Sequence, residues 1–265
     1  MSWRLYVDVG NSAIKFAARR EGEWACLVRI AWDEACDNEM LDPETFTVAR
    51  LLNELGSHEL QGAECEGIVG CGSSVDADAV FEALGEAFNQ PVRVLGKDLK
   101  AQLKSKYRPP RSLGTDRVAN AVAAYALHGG PVVVIDAGSC LTGEVVGPDG
   151  TFLGGYIAAG MPALMEGILE VAPQLEEALG RDELPEDEFI GQTTTECLMV
   201  GTAIQLNAAV QALMSTAREY LQAPEAKVVL TGGLCDYLAE GYEDDTIVAV
   251  PLLTLEGLRL IDGYE

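Results

Sequence analysis

Histidine is scarce: His58 and His128 are the only two in 265 residues. They stand alone beside helix ends or turns, which argues against a histidine-based metal site or nucleophile. The seven cysteines are odd in number and form no Cys-x-x-Cys pair. Cys65 and Cys71, six apart, do not have a usual zinc spacing, so the thiols read as scattered, reduced and packed like small apolar residues. No apolar run approaches the ~18–20 residues of a membrane span. The opening MSWRLYVDVG runs straight into a strand and has no signal-peptide pattern. Basic residues are few, 18 Lys and Arg against 42 Asp and Glu, for a net charge of −24. Long-range repulsion then disfavours nucleic acid and anionic membrane as partners. The expectation is a soluble, cytoplasmic protein.

What is present is enough to build a core: 48% of residues are hydrophobic, and the length suits one large domain or two of about 130 residues. Strands are expected at 3–9, 13–19, 24–30, 66–71, 92–95, 131–137, 141–147, 151–157, 227–231 and 246–250. Helices are expected at 44–56, 76–88, 97–104, 115–128, 161–178, 193–222 and 252–262. The alternation predicts an α/β fold with helices covering a mixed sheet. The charge is uneven along it. Residues 97–117 hold Lys97, Lys100, Lys104, Lys106, Arg108, Arg111 and Arg117 against Asp98 and Asp116 alone. A site for an anionic small molecule and a solvated basic helix face both explain that segment.

The chain also echoes itself. RLYVDVGNSAIKFAARR at 4–20 and VVVIDAGSCLTGEVV at 132–146 are each a strand, Asp-x-Gly, a small polar residue and a second strand. A turn follows in both, EGE at 21–23 and GPDG at 147–150, and then a third apolar stretch. Each half later has a strand ending in Gly and leading to a helix, in GIVGCGSSVDADAVFEAL and KVVLTGGLCDYLAE. Two copies of one fold are expected, divided into residues 1–114 and 115–265.

A hairpin turn of this composition offers free backbone N–H groups that form an anion-binding nest, and glycine lets a ligand approach without a Cβ clash. Asp8 and Asp136 at the strand ends suit a cation, held directly or through water, because hard cations take oxygen ligands. Lys15, seven residues after Asp8, lies within reach of a phosphate. Two such hairpins facing each other would clamp a nucleoside triphosphate and its metal. The Thr231-Gly232-Gly233 turn would let backbone pass close to an adenine. Asp8 taken alone is equally a turn-forming residue.

The helix at 115–128 has Thr115 as its N-cap, Val118, Val122 and Tyr125 on one face and Gly129 at its stop. Asp116 in the first turn is explained by the helix dipole, whereas Arg117 beside it is not and needs an anionic partner. Asp beside Arg, entered from a Gly-containing loop after Tyr107 and two prolines, makes a hydroxyl-orienting site. Further on, Thr193 and Glu196 make a capping box, which accounts for one threonine of GQTTTECL and leaves the others open to a ligand.

These motifs resemble the actin, hexokinase and sugar-kinase superfamily, and within it the type III pantothenate kinases. The matching strings are DVGNSAIK at 8–15, SSV at 73–75, YRPPRSLGTDR at 107–117, DAGSCLT at 136–142, GGYIAAG at 154–160, GQTTTECLMVG at 191–201 and TGG at 231–233. They run in family order over nearly the whole chain, and the string from Tyr107 to Arg117 is the most specific. The resemblance implies two tandem actin-like (ribonuclease H-like) domains with mixed sheets covered by helices. It implies ATP-dependent phosphorylation of pantothenate to 4′-phosphopantothenate, the first step of coenzyme A biosynthesis. By it, Asp8, Val9, Gly10, Asn11, Ser12, Ala13, Ile14, Lys15 and Ser139 would bind ATP. Tyr107, Gly114, Thr115, Arg117 and Thr194 would hold pantothenate, Asp116 would be the catalytic acid-base residue, and Asp136 would bind a monovalent cation. The family further implies a homodimer and a need for Mg²⁺, which Asp8 would meet directly or through water, and for K⁺ or NH₄⁺. The sequence departs from the family at Ser139 and Cys140, where Thr-Ala is usual, at Glu144, where Asp is common, and at Ala159, where a proline usually precedes Gly160. Residues 171–185 also match poorly. A kinase or phosphohydrolase for another small substrate on this fold, and a non-catalytic regulator derived from it, are the alternatives. Retention of Asp8, Lys15, Asp116 and Asp136 speaks against the regulator.

Overall fold

The computed structural model describes residues 2–32, 42–60, 62–72, 74–178 and 190–263. Ser73 of the SSV string and residues 179–185 of the poorly matching stretch lie outside them. Two compact units emerge. The first is Met1–Leu127 with Gly150–Phe152 and Leu252–Glu265, and the second is His128–Asp149 with Leu153–Pro251.

In the first unit, β1 (Trp3–Val9), β2 (Ala13–Arg20) and β3 (Glu23–Ala31) form the expected meander. β4 (Cys65–Gly72) and β5 (Val92–Val94) add in parallel, giving the order β3-β2-β1-β4-β5. Alternate side chains of a strand leave on opposite faces. Trp3, Leu5, Val7 and Val9 of β1 therefore share one core with Val48 and Leu51 of α1 (Pro43–Ser57) and with Val80 and Leu84 of α2 (Ala77–Phe88). Tyr6 faces the other way, into a core with Ala119 of α3 (Thr115–His128) and Leu255 and Leu258 of α7 (Leu253–Asp262).

The second unit repeats the topology. Its strands are β6 (Val132–Ala137), β7 (Cys140–Val146), β8 (Phe152–Ala159), β9 (Lys227–Thr231) and β10 (Ile247–Ala249), in the order β10-β9-β6-β7-β8. Read from β8, this is the order of the first sheet, so the echo in the sequence is an echo of the fold. α4 (Met161–Val171), α5 (Thr194–Leu221) and α6 (Cys235–Glu240) complete the unit. Leu206, Val210 and Met214 of α5 share its core with Val133, Ile135 and Val228.

Several expectations are corrected. Residues 97–104 are not helical. Gly96 turns the chain at φ +92°, the Asp98 carboxylate accepts the Val94 N–H at 2.9 Å, and Leu99 bridges back to Leu95. A side chain that bonds neighbouring backbone offers an alternative to the helix. The helix at 161–178 ends at Val171, because Pro173 cannot continue it, and a 3-10 turn follows over Pro173–Ala178. α3 falls with the first unit up to Leu127. Its buried residues are Arg117, Ala119, Asn120, Ala121, Ala123 and Ala124, while Val118, Val122 and Tyr125, which share a face as expected, are half-buried. The small residues serve close approach: a Cβ on Gly257 of α7 would lie 2.1 Å from the Ala119 carbonyl oxygen. Across the same contact Thr254 donates to the buried Asn120 side chain at 2.8 Å.

Among the described residues one helix, Thr194–Leu221, is long and apolar enough to cross a membrane by length and composition. This corrects the expectation that no stretch approaches a membrane span: the segment has no unbroken apolar run, since it mixes Ala, Thr and Gly with Gln205, Asn207 and Gln211. Its buried stripe lies in the core of the second unit, and a core helix passes the same test of length and composition.

Candidate active site

The first Asp-x-Gly hairpin is braced locally. Gly10 N–H donates to the Ala13 carbonyl at 3.0 Å and Trp32 N–H to the Ser12 carbonyl at 3.1 Å. The Trp32 indole donates to the Gly10 carbonyl at 2.8 Å. A Cβ on Gly10 would sit 3.0 Å from the Ala13 oxygen, which explains the glycine. Asn11 and Ser12 are exposed at the tip, while Val9, Ala13 and Ile14 are buried, so these three offer a ligand backbone and not side chain.

Asp8 and Lys15 are direct cross-strand partners in the β1–β2 ladder. The Lys15 ammonium lies 3.9 Å from Asp8 Oδ2. On the other side Asp8 is in register with Cys71 of β4, whose thiol donates to Asp8 Oδ1 at 3.5 Å. Burial, and then the negative charges of Asp8 and Asp116, push the Cys71 thiol well above the ordinary range, so it stays a protonated donor. Asp116 is therefore close enough to act on the same thiol. Its backbone is delivered by α3, whose first residue Thr115 bonds through its hydroxyl to both the N–H and the carbonyl of Gly72, each at 3.4 Å. This corrects the reading of Thr115 as N-cap. The capping carbonyl is that of Gly114, which accepts from Val118 N–H at 3.1 Å, and the Thr115 hydroxyl joins helix to strand instead. Asp116 Oδ1 accepts the Arg117 N–H at 2.8 Å. Gly114 is required here, since a Cβ would lie 2.4 Å from that oxygen.

Arg117 is 6% exposed, and its guanidinium lies 5.8 Å from the ring centroids of both Tyr107 and Phe152. The two rings meet edge-on, 5.9 Å apart at 74°. The aromatic faces supply the electrostatic reason for a cation in the first turn of a helix.

In the second unit Asp136 has hydroxyl-bearing residues in register on both sides, Thr142 on β7 and Thr231 on β9. The turn after it is closed by Gly138 N–H to the Cys140 carbonyl at 3.1 Å, and Gly160 N–H reaches the Ser139 carbonyl at 3.1 Å. Gly232 has φ +88°, and a Cβ there would meet Asp136 Oδ1 at 2.5 Å, so the Gly-rich turn passes directly over the carboxylate. Glu144, where the family commonly has Asp, is fully buried and accepts from the Thr142 hydroxyl at 3.1 Å. Thr194 is exposed as the first residue of α5, and the Thr193–Glu196 capping box before it is formed as expected.

Asp8, Lys15, Thr115 and Asp116 are thus gathered around Cys71 and Gly72, Arg117 and Tyr107 are gathered with Phe152, and Asp136 is gathered with Thr231 and Gly232. Cys71 and Phe152 were not singled out in the sequence. The signal for Cys71 is its register opposite Asp8, which needs the parallel pairing to be known. Phe152 carried none beyond opening an apolar stretch. Among the described residues no group of three or more His, Cys, Asp and Glu could hold a metal alone. Magnesium in a kinase takes one or two carboxylates plus phosphate oxygens and water, and Asp8 suits that smaller demand.

Twin five-stranded mixed sheets, each with an aspartate next to the end of its first strand at a Gly turn, define the α/β fold of actin and the sugar kinases. A ROK family glucokinase from Streptomyces griseus, solved with glucose and AMPPNP, superposes with a TM-score of 0.57 over 99% of this chain and all of its own at 12% identity, a likeness of fold. The profile of type III pantothenate kinases matches residues 4–216, and the chain belongs to that family. Type III pantothenate kinases of Moorella thermoacetica and Exiguobacterium sibiricum are 31% and 32% identical to it, each over 97% of both chains.

Proposed function

We propose that the chain transfers the γ-phosphoryl group of ATP to the primary hydroxyl of pantothenate, giving 4′-phosphopantothenate and ADP at the start of coenzyme A synthesis. The observation that carries this reading is that Thr115, bonded to Gly72, brings Asp116 and Arg117 at the N-terminus of α3 to the strand whose Cys71 bonds Asp8, the ion-pair partner of Lys15. Residues 8–15 and Ser139 bind ATP, with Lys15 answering phosphate charge. Tyr107, Gly114, Thr115, Arg117 and Thr194 hold pantothenate, and the planar Arg117 fork suits its carboxylate.

Asp116, with one oxygen held by the Arg117 N–H, turns the other to the acceptor hydroxyl. As the hydroxyl oxygen bonds to the γ-phosphorus, the bond from that phosphorus to the bridging oxygen breaks. ADP departs and the hydroxyl proton passes to Asp116. A loose transition state needs the acceptor positioned more than deprotonated early. Magnesium, bound with the phosphates at Asp8, would neutralise charge developing on the leaving group. K⁺ or NH₄⁺ belongs at Asp136, where the hydroxyls of Thr142 and Thr231 suit a hard cation.

The working form is a homodimer in the cytoplasm. In support of the dimer, α4 has no fully buried residue although it carries Met161, Leu164, Met165, Ile168 and Leu169. The outer face of edge strand β8 exposes Ile157 at 66% and α5 exposes Ile204 at 59%, the pattern of a surface awaiting cover. Light scattering on the purified protein tests the dimer. A coupled ADP-release assay with pantothenate and a panel of small alcohols, with and without K⁺, tests the activity. ADP release indifferent to pantothenate, with turnover of another acceptor, overturns it.

A further inference from the structure

We propose that Phe152 is a positioning residue for the phosphoryl acceptor, fixing Arg117 and Tyr107 together in the pose that binds it; the inference rests on the reading of those two as acceptor-binding residues. Arg117 stands in the first turn of α3, where the dipole disfavours a cation, and it is nearly buried. Left without a mould, a long guanidinium side chain would lose rotamer freedom on every binding event, which weakens affinity.

Phe152 supplies that mould twice over. Its ring is fully buried, stands 5.8 Å from the Arg117 guanidinium and meets the Tyr107 ring edge-on at 5.9 Å. Its backbone also holds the segment that leads to Tyr107. Phe152 N–H donates to the Lys104 carbonyl at 2.8 Å, and its carbonyl accepts from Lys106 N–H at 2.9 Å. One residue thereby sets the path of the chain two residues before Tyr107, the tilt of the Tyr107 ring and the place of the Arg117 charge. A residue that only filled core would need none of these three contacts.

Phe152→Leu keeps apolar bulk and both backbone hydrogen bonds but removes the aromatic face. Cation–π contacts range from exposed to desolvated strength, so KM for pantothenate should rise about 2–30-fold. KM for ATP should stay within about twofold and kcat should change less than KM. Phe152→Tyr restores the ring and should return KM for pantothenate close to the parent value. Arg117→Met supplies the control. In that background Phe152→Leu should add little, because the group it positions is gone. If Arg117→Met leaves KM for pantothenate unchanged, the acceptor-binding reading itself fails. If Arg117→Met raises it but Phe152→Leu does not, or if the two effects multiply in full in the double variant, Phe152 is core and the inference is overturned. If Phe152→Leu shifts both KM values and kcat alike with a large fall in melting temperature, the role is structural and the inference is also overturned. Phe152→Met, which fills the space with a flexible side chain, gives the same comparison should the leucine variant not fold.

Discussion

Asp116→Asn is the sharpest perturbation, because the structure separates what it removes from what it keeps. Asn retains a side-chain oxygen, so the acceptor of the Arg117 N–H at 2.8 Å survives, as does the space left by Gly114. What goes is one negative charge and the basic oxygen that receives the acceptor proton. A positioned acid-base group contributes about 10²–10⁴-fold, so kcat should fall by that factor. Stability should move little. The lost helix-dipole contribution is about 0.3–1 kcal/mol. A net change below ~1 kcal/mol shifts the melting temperature of a chain this size by no more than about 4 °C. ATP affinity should stay within about twofold, because the residues assigned to it lie on the hairpin of β1 and β2 and at Ser139. The assay is kcat by coupled ADP release, nucleotide affinity by calorimetry and melting temperature on the same preparation. A kcat within threefold of the parent refutes the catalytic role, and a large fall in melting temperature accompanying the loss of kcat reassigns Asp116 to the fold.

Activity should require K⁺ or NH₄⁺, and equal rates in buffer containing only Na⁺ or Tris would remove the cation role of Asp136. Gly232→Ala should destabilise by about 1–3 kcal/mol, because its φ is +88° and the new Cβ would stand 2.5 Å from Asp136 Oδ1; an unchanged melting temperature would contradict this. Stability should decline above about pH 8.5–9. Burial raises the Cys26, Cys65 and Cys71 thiols in the folded state, so the stability they contribute is full below the unfolded thiol pKa and is lost as alkali ionises the unfolded chain first. Melting temperatures across that range check it, and a flat profile counts against it. Alkylation followed by peptide mapping should label Cys140 and Cys197, which are exposed, well before Cys71; early labelling of Cys71 would show that β4 does not bury it.

Much of this protein is legible in one dimension, because the decisive signals are local. The Asp-x-Gly turns need only a strand end, a glycine and small polar residues in sequence, and their repetition foretold the twin sheets. The capping box at Thr193 and Glu196 lies within one turn and was formed as read. Family resemblance carried Asp116 and Arg117, whose neighbourhood is continuous in sequence. The readings that failed were those in which local pattern competed with distant contacts. Residues 97–104 have a helical rhythm, yet Asp98 bonds back to Val94 and Leu99 bridges Leu95. α3 buries its alanines most deeply because α7, from the far end of the chain, approaches through Gly257 to the Ala119 carbonyl. Thr115 gave up capping to bond Gly72, 43 residues earlier. Cys71 became the neighbour of Asp8 through parallel pairing of β1 with β4, across 63 residues, and Phe152 met Arg117 only through folding. Sequence by itself determined the Asp-x-Gly turns, the Thr193–Glu196 capping box and the repeated order of strands, where the interacting atoms lie a few residues apart. Tertiary structure alone decided which side chain backs each functional group, because that depends on strand register and helix approach between segments whose spacing leaves no periodic trace.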